Sequence, residues 1–592
     1  MLDSAYFSKA FSDVGIRRSR LQNNHRNLTT MNAGFLYPIA SFDVLPGSTW
    51  DITINSWVRQ STPIHPVMDD AYLDVFAFYV PNRQVFSLTK EFFGEPRQDP
   101  YDYSTDLLEP GSIPPQGGDP SAGGQEDTSV IGMRSLHAYY GVPIGSRPDF
   151  INAKYIRGYG LIWNRWFRAQ QIQNAIDVPT DDIDRTYATV SRDNLISPIP
   201  DVQLDPDYYI NCAKDGGCVA PVCKFHDYFT SALLQPQLGD PAAIPINGFA
   251  PVYAIDGLEN VYNSSSGYLK NGYATPIEVI TERGHTGGDY PLYATKEALS
   301  ADLDGSSSGD AWNAFFNNLA ADLGQHVDAS KSVGAAYSTI TDLRYAFATQ
   351  KYLELNNRFG TRYREYLKAH FGVDASNIEL QDPELLGGKR THIGMQQVVQ
   401  TSSTDEISPQ GNLAAYSLTS DKDFLFRKSF TEFGTIHILA CIRTNHSYQQ
   451  GLERKFSKRD RLSYYHPEFA NISEQPIRNS ELFLDYRQTE VSQKSPFGFQ
   501  EAWAEYRYFP NKISGFFASQ VPGSLDIWHY GDFYDSKPYL SAGWISETYK
   551  NIDRTLAVTS ELHDQFLCDF AFNITHVEPM PIYSIPGLDP HF

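Results

Sequence analysis

Cysteine is scarce in this sequence, which has only five cysteines among 592 residues. So few cysteines do not make a disulfide framework in a chain of this length, and we expect synthesis in a reducing compartment. Long apolar runs are also missing, since the most apolar stretches, 72–80 and 436–442, are far too short to cross a bilayer. The first residues lack the apolar segment of a signal peptide. We therefore expect a soluble protein that is made in the cytoplasm.

Positive charge is in short supply as well. The chain has 48 lysines and arginines against 70 aspartates and glutamates, which gives a formal net charge of -22. This balance excludes a protein whose whole surface binds nucleic acid. The hydrophobic fraction of 41% is enough for a substantial core. The 37 tyrosines and 36 phenylalanines suit half-buried pleated surfaces and protein interfaces.

Motifs of several common enzyme sites are absent. The chain contains no HExxH zinc helix, no GxxxxGK(S/T) phosphate loop and no GxGxxG dinucleotide turn. Carboxylates are numerous enough for a glycosidase pair to exist by chance, but nothing in the sequence marks one. We therefore predict a protein that is not an enzyme and has no cofactor. A glycan-active β-protein remains an alternative, because fold class and composition do not determine function.

Strand patterns are the main structural signal. Alternating apolar and polar residues predict half-buried strands at 49–60 and 566–577. A nearly continuous apolar run at 72–80, closed by a proline, predicts a strand that is buried on both faces. Further strands are expected at 435–442 and 503–509.

Helical and irregular segments separate these strands. Apolar residues at helical spacing predict helices at 152–173 and 343–371, the second of them broken or kinked at Gly360. Residues 102–129 and 245–335 are rich in glycine, serine and other loop-forming residues. Widely separated strands joined by long excursions indicate a mainly β protein with a β-sandwich core and large insertions. The jelly roll is the capsid-associated member of that class.

One cluster is a weak candidate for metal binding: Cys212, Cys218, Cys223 and His226. Structural zinc sites favour cysteines separated by two to four residues. Here five and then four residues separate the cysteines, and the histidine follows as CxxH. Buried or incidental thiols fit this spacing better, so we predict no metal.

Two basic segments, 9–26 and 451–462, stand out against the acidic background. Their candidate DNA-facing residues are Arg17, Arg18, Arg20, Arg26, Arg454, Lys455, Lys458, Arg459 and Arg461. Such side chains neutralise phosphates, and the interleaved Phe456, Tyr464 and Tyr465 suit stacking on unpaired bases. The alternative for both segments is a solvated, charged loop. Because a chain with a net charge of -22 does not neutralise bound DNA by itself, we expect a separate basic partner.

Several blocks of the sequence together suggest a family. They include MNAGFLYPIASFDVLPGSTW, HPVMDDAYLDVFAFYVPNR, KFHDYFTSALLQPQLGD, FGTRYREYLKAHFGV and PMPIYSIPGLDPHF. In this order the blocks resemble those of the major capsid proteins of the Microviridae, and within them the gokushovirus-like branch. Ordered agreement of this kind is more specific than a single motif.

The resemblance implies an eight-stranded antiparallel jelly-roll sandwich with long loop insertions and a few helices. Its core would comprise 1–244 and 336–592, with an N-terminal arm at about 1–30. Residues 245–335 would form a surface protrusion at the threefold axes that contacts the host.

The resemblance also implies a self-assembled T = 1 shell around a circular single-stranded DNA genome. The partners implied are a small basic DNA-binding packaging protein, a pilot or minor capsid protein, and a host receptor of glycan or lipopolysaccharide. The protein would be part of the virion and would assemble in the host bacterial cytoplasm. The alternative is a phage spike or a lectin-like glycan-binding protein.

Overall fold

The structure is a computed structural model that describes residues 17–93, 115–117, 129–242 and 340–583, apart from 402–412 and the single positions 149, 184, 197, 198, 200, 202, 204, 206, 378, 400, 486 and 488. The chain divides into two units, Met1–Leu238 with Glu354–Phe592, and Gly239–Leu353. The predicted insertion at 245–335 lies outside the described residues, and so does most of the predicted loop at 102–129.

Eight strands of eight to thirteen residues form the body of the first unit. They are β1 (Ser19–Met31), β2 (Tyr37–Val44), β3 (Thr49–Gln60), β4 (Ala71–Pro81), β5 (Glu384–Ile393), β6 (Thr419–Ser429), β7 (Gly434–Thr444) and β8 (Phe566–Glu578). These strands form two four-stranded antiparallel sheets with the orders β1-β8-β3-β6 and β5-β4-β7-β2. The chain crosses to the other sheet after every strand except β4, which pairs directly with β5.

The two sheets share one hydrophobic core. Strands β3 and β8 bury every second residue, including Ile52 and Ile54 on β3 and Phe566 and Phe570 on β8. The same buried cluster contains Ile438 and its neighbours from the other sheet. The strands predicted at 49–60 and 566–577 are therefore confirmed, and so is the mainly β class.

Strands β4 and β7 are buried along nearly their whole length, on both faces. One face meets the shared core, and the helix Lys154–Ile162 contacts the sheet on the other side. The Tyr159 hydroxyl of this helix donates a 2.7 Å hydrogen bond to the carbonyl of Leu36. Double burial explains why these two strands are continuous in apolar residues rather than alternating. The strands predicted at 72–80 and 435–442 are confirmed.

The remaining strands are short, and the helices range from four residues to the 20 of Ile340–Phe359. Helices span Asn82–Val85, Thr89–Phe92, Leu136–Tyr139, Lys154–Ile162, Tyr208–Lys214, Ile340–Phe359, Tyr363–Phe371, Asn479–Leu482, Glu490–Lys494, Ala542–Ile545 and Lys550–Asp553. Minor strands span Pro115–Gly117, Ser129–Val130, Phe150–Asn152, Arg185–Thr186, Val190–Ser191, Met395–Val399, Leu413–Ser417, Ser447–Tyr448, Glu474–Arg478, Pro496–Glu501 and Asn511–Lys512. No helix in the described ranges is both long and apolar enough to cross a membrane.

The helix predicted at 152–173 is shorter in the structure. It runs from Lys154 to Ile162, continues as one π-helical turn, Trp163–Phe167, and ends where Arg168 adopts an extended backbone. Beyond that point the Gln173 side chain accepts the amide hydrogen of Ala169 at 2.9 Å. This side-chain contact takes the place of a further helical turn.

The strand predicted at 503–509 is wrong. Trp503 has a left-handed backbone with φ 65, and Ala504–Tyr506 forms a 3-10 turn. The Trp503 indole donates a 2.8 Å hydrogen bond to the carbonyl of Phe469, and its ring packs edge-on against Tyr465. The regular spacing of aromatic residues here reflects these contacts and not a pleated strand.

Gly360 separates two helices, as predicted, and its φ of +102 explains the break. A Cβ added at this position would lie 2.1 Å from a carboxylate oxygen of Glu365. That carboxylate accepts the amide hydrogen of Arg362 at 3.1 Å, which caps the second helix.

We expect Gly360→Ala to lower the free energy of unfolding by about 1–2 kcal/mol, because alanine is strained at positive φ and displaces the Glu365 cap. Urea unfolding of the purified subunit measures the change. The control is Gly394→Ala, where an added Cβ meets nothing within 4 Å and φ is not positive. Its effect should stay within about 0.5 kcal/mol. Equal losses in both variants would contradict the strain at Gly360.

Candidate functional site

The basic segment 451–462 follows β7 and folds into short turns. The 3-10 turns Arg454–Ser457 and Arg461–Ser463 lie within or overlap this segment. Such tight turns point successive side chains in different directions. The segment's cations therefore divide into two groups with different surroundings.

Two of the predicted DNA-facing residues, Arg454 and Lys458, are engaged within the chain. The Arg454 guanidinium lies 3.3 Å from the Glu481 carboxylate, and the Lys458 ammonium lies 3.2 Å from Glu505. The Lys458 side chain is only 5% exposed and also donates to the Tyr506 hydroxyl at 2.7 Å. Although burial opposes it, Glu481 raises the pKa of Arg454. These two charges are neutralised locally.

The other cations of this segment face solvent. Arg459 and Arg461 are exposed, and neither forms an ion pair with a described residue. Lys455 is exposed and lies 2.6 Å from the Glu453 carboxylate. Beside them are the exposed rings of Phe456 (68%), Tyr464 (51%) and Tyr465 (45%). Exposed cations and aromatic faces in one segment are the features that bind unpaired nucleotides.

The N-terminal basic residues lie in and before the edge strand β1. Arg17, Arg18 and Arg20 are exposed. Arg26 forms an ion pair with Asp569 on the neighbouring strand β8, and its guanidinium stacks over Trp57 at 5.1 Å. The charge of Arg26 is therefore shared with an acidic neighbour, while the first three remain available to a partner.

The weak metal candidate is not supported by the geometry. The described part of the chain brings no three His, Cys, Asp or Glu side chains together as metal ligands. The Cys218 thiol contacts the carbonyl of Tyr209, and the Cys223 thiol contacts that of Phe167 at 3.5 Å, while His226 is exposed. Burial raises the pKa of Cys223 to about 11, so its thiol stays protonated. The described geometry therefore gives no support to Cys212, Cys218, Cys223 and His226, the weak candidate, as a set of metal ligands.

A buried ionic network is the strongest electrostatic feature that the sequence analysis missed. It consists of Lys224, His446, Asp532 and Glu547, whose side chains are each at most 4% exposed. His446 bridges the two carboxylates, at 3.1 Å to Asp532 and 3.0 Å to Glu547, and Lys224 lies 3.1 Å from Asp532. No motif marks these residues, because they are far apart in the chain.

The four charges of this network balance one another. Although burial opposes protonation, Glu547 and Asp532 raise the pKa of His446 to about 10. Although burial opposes ionisation, Lys224 and His446 hold the pKa of Asp532 far below its usual range. Two cations thus face two anions, and the network joins β7 and the segments around 224, 532 and 547. It supports the fold and presents no open site for a ligand.

The similarity to known proteins extends over nearly the whole chain. The family model described as "Capsid protein (F protein)" matches residues 10–588. Capsid protein VP1 of Spiroplasma virus 4 is 35% identical over 584 residues, which cover 98% of this chain and 96% of that protein. Capsid protein VP1 of Chlamydia phage 1 is 32% identical, with 98% and 97% covered. Capsid protein VP1 of Bdellovibrio phage phiMH2K is 34% identical, with 97% and 96% covered. The family resemblance that the motifs predict is confirmed by these similarities.

Proposed function

Since this chain belongs to the capsid protein (F protein) family, we propose that it assembles into a T = 1 icosahedral shell around a circular single-stranded DNA genome. The chain is a major capsid protein of the Microviridae type and a component of the virion. Its relatives are structural proteins and not enzymes. The observation that carries the proposal is the family match, which extends from residue 10 to residue 588.

The proposed architecture is an eight-stranded jelly roll. Its support is the strand order, β1-β8-β3-β6 in one sheet and β5-β4-β7-β2 in the other. A chain that crosses between two sheets after every strand but one has the connectivity of interleaved Greek keys. The sandwich leaves its loops at the ends and surfaces, where they can face solvent, genome or neighbouring subunits.

The shell proposal is tested by microscopy and sedimentation of the purified protein. We expect uniform small icosahedral particles under negative stain. Monomers or trimers that bind carbohydrate, without particles, would favour a spike or lectin-like protein instead. Purified virions would serve where assembly depends on a second phage protein.

We further propose that exposed cations bind the packaged DNA. Two groups are supported by their exposure and by having no ion pair with a described residue: the N-terminal arginines at 17, 18 and 20, and the solvent-facing pair of Arg459 and Arg461. Arg26, Arg454, Lys455 and Lys458 have smaller roles in this proposal because each is paired with a carboxylate of the chain. The exposed rings of Phe456, Tyr464 and Tyr465 would stack on bases.

We also propose partners for this subunit. Its net charge of -22 supports a small basic DNA-binding packaging protein, because the shell itself adds negative charge. A pilot or minor capsid protein would complete the particle, which would be assembled in the cytoplasm of the bacterial host. Residues 245–335 would form the threefold protrusion that contacts a glycan or lipopolysaccharide receptor.

The DNA proposal predicts a salt-dependent binding defect in a double variant, Arg459→Gln with Arg461→Gln. Loss of two phosphate contacts should weaken binding of a single-stranded oligonucleotide about equally for every sequence. It should also reduce the slope of log affinity against log salt by roughly 1.4, at about 0.7 per charge on a single strand. Fluorescence anisotropy of the purified subunit at several salt concentrations measures both changes.

The matched control removes the same charge elsewhere, with Lys494→Gln and Arg507→Gln. Each of these cations is already paired with a carboxylate of the chain. The control should keep nearly the original salt slope. If both double variants lose affinity equally, the overall charge of the subunit and not this segment binds the DNA.

A further inference from the structure

Two of the five free cysteines lie at the C-terminal end of the helix Tyr208–Lys214. Cys212 is on its last turn, and Cys218 follows shortly after its end. The amide of Gly217 donates a 2.8 Å hydrogen bond to the carbonyl of Cys212, and Gly216 has a φ of +76. This is a Schellman motif, which turns the chain back against the last helical turn. The motif therefore returns Cys218 to the side of Cys212.

The two thiols are in contact. The Cys218 thiol donates a hydrogen bond to the Cys212 sulfur, and this bond lowers the pKa of Cys212 although burial opposes it. Burial raises the pKa of Cys218 above its ordinary value. An added Cβ at Gly217 would lie 3.0 Å from the Cys212 sulfur, so glycine allows this close passage of the chain. A disulfide needs Cβ atoms within about 3.5–4.5 Å, an arrangement that thiols in hydrogen-bond contact already approach.

The two thiols differ in their access to solvent. Cys212 is half-buried and lines a cavity of about 360 Å³ that is open to solvent, together with Asp205, Asp207 and Tyr208. Cys218 is 2% exposed. An accessible thiol with a lowered pKa attacks a disulfide first, and a covered neighbour is suited to the second attack. The pair therefore combines an attacking cysteine with a resolving cysteine.

The other three cysteines have different surroundings. The Cys223 thiol contacts the Phe167 carbonyl and the Gln173 side chain, both at 3.5 Å. Cys441 and Cys568 lie in the shared core, at 0% and 1% exposure. Burial raises the pKa of all three thiols, so they stay protonated and unreactive.

We propose that Cys212 and Cys218 form a disulfide when the particle leaves the reducing cytoplasm, with a small-molecule disulfide as the oxidant. The inference rests on the proposed function, because a virion subunit passes from a reducing to an oxidising environment. The Cys212 thiolate attacks one sulfur of the oxidant and releases one small thiol. Cys218 then loses its proton and attacks Cys212 in the mixed disulfide, which releases the second small thiol. The two protein thiols lose two electrons, and the oxidant gains them.

The bond would attach the helix to the core. The segment after Cys218 is fixed by backbone hydrogen bonds, from the amide of Leu36 to the carbonyl of Ala220 and from the amide of Val222 to the carbonyl of Gly34, both at 2.9 Å. A covalent link from this segment to the last helical turn limits how far the helix can separate from it. The oxidised virion would therefore have a helix end that opens less often than in the newly made subunit.

Peptide mapping without reductant locates the bond. Trypsin cleaves after Lys214, so Cys212 and Cys218 fall in two peptides, 193–214 and 215–224. We expect these peptides to be linked in released virions whose free thiols are alkylated during purification. The linked pair should weigh two hydrogens less than the two peptides together. In particles taken from the host cytoplasm before release, the two peptides should be separate.

Three variants test the order of attack in the dissociated subunit with bis(hydroxyethyl) disulfide as the oxidant. Cys218→Ser should keep the mixed disulfide on Cys212, because no resolving thiol follows. Cys212→Ser should form neither the adduct nor the link. The control is Cys223→Ser, which removes the other cysteine of the second peptide and should form the link at the original rate. Amides of 208–214 should exchange more slowly in the oxidised than in the reduced subunit, and equally in both treatments of Cys212→Ser.

The mapping of the original chain does not depend on how the variants fold. Free thiols at both positions in released virions would overturn the inference and leave the shell proposal intact. A link from Cys212 to Cys223, which fragmentation of the second peptide distinguishes, would overturn it as well. If the subunit forms the predicted link but the chain forms no particles even with its phage partners, the reactive pair stands and the shell proposal fails.

Discussion

Replacing His446 with leucine should lower the free energy of unfolding of the subunit by about 3–5 kcal/mol, because it leaves two carboxylates in the interior with one cation. His446 is hydrogen-bonded at both ring nitrogens, to Asp532 and to Glu547. Both carboxylates are buried, and of the two Lys224 forms an ion pair with Asp532 and not with Glu547. Urea unfolding of the dissociated subunit at pH 7 measures the loss.

The control for this prediction is an exposed ion pair. Lys494→Leu breaks the contact with Glu490, in which both side chains are more than half exposed. Such pairs contribute at most about 1 kcal/mol. A loss at His446 as small as at Lys494 would show that the interior compensates the unpaired charge in another way.

The same histidine predicts a loss of stability in alkali. Its pKa is raised to about 10 in the folded subunit, so its contribution is complete below its ordinary pKa of 6.5 and disappears as the pH rises through 10. Between pH 7 and pH 9 the original subunit should lose roughly 3 kcal/mol from this group, at about 1.4 kcal/mol per pH unit. In His446→Leu the free energy of unfolding should not show this fall between pH 7 and pH 9. An equal fall in the variant would mean that His446 is not its cause.

Acid should destabilise the subunit through two other histidines. Burial lowers the pKa of His437 to about 3 and that of His137 to about 4. Both rings are neutral in the folded chain, whereas an unfolded chain protonates them below about pH 6.5. The free energy of unfolding must therefore fall as the pH drops from 6.5 toward the pKa values of these histidines in the folded chain. Each histidine should account for roughly 3 kcal/mol of loss by pH 4.

His437 is the better of the two for a test. It lies on β7, where its ring nitrogens contact the Tyr140 hydroxyl at 2.9 Å and the Thr435 hydroxyl at 2.8 Å. In His437→Gln the loss between pH 7 and pH 4, measured by urea unfolding, should be smaller by about 3 kcal/mol. The two chains share every other titrating group, so the difference reports this position alone.

His226→Gln provides the control, because it removes an exposed histidine in place of a buried one. Its pH dependence should match that of the original subunit. An identical loss in the His226 and His437 variants would mean that acid acts through other groups.

The four strands that the sequence analysis predicted correctly are β3, β4, β7 and β8, and all four are the central strands of the two sheets. The four that it missed are the edge strands. A central strand is packed on at least one face along its length, so its residues alternate or run apolar, and the pattern is visible in one sequence. An edge strand such as β1 is exposed over most of its length, so its sequence carries little of that pattern.

The candidate DNA-facing residues also divide into what the sequence reveals and what only the structure reveals. Composition, the order of the motifs and the position of the two basic segments are properties of the chain alone, and they led to the family and to the DNA-facing candidates. Only the tertiary structure separates Arg459 and Arg461, which face solvent, from Arg454 and Lys458, which carboxylates neutralise.

By itself, then, the sequence determined the family, the β class, the central strands and the helix break at Gly360. The tertiary structure alone decided the pairing of β1 with β8, the left-handed turn at Trp503 and the buried ionic network. The physical reason is distance along the chain. Periodicity and turn residues act over a few neighbours, whereas a buried charge or an exposed face depends on which remote segments fold against it.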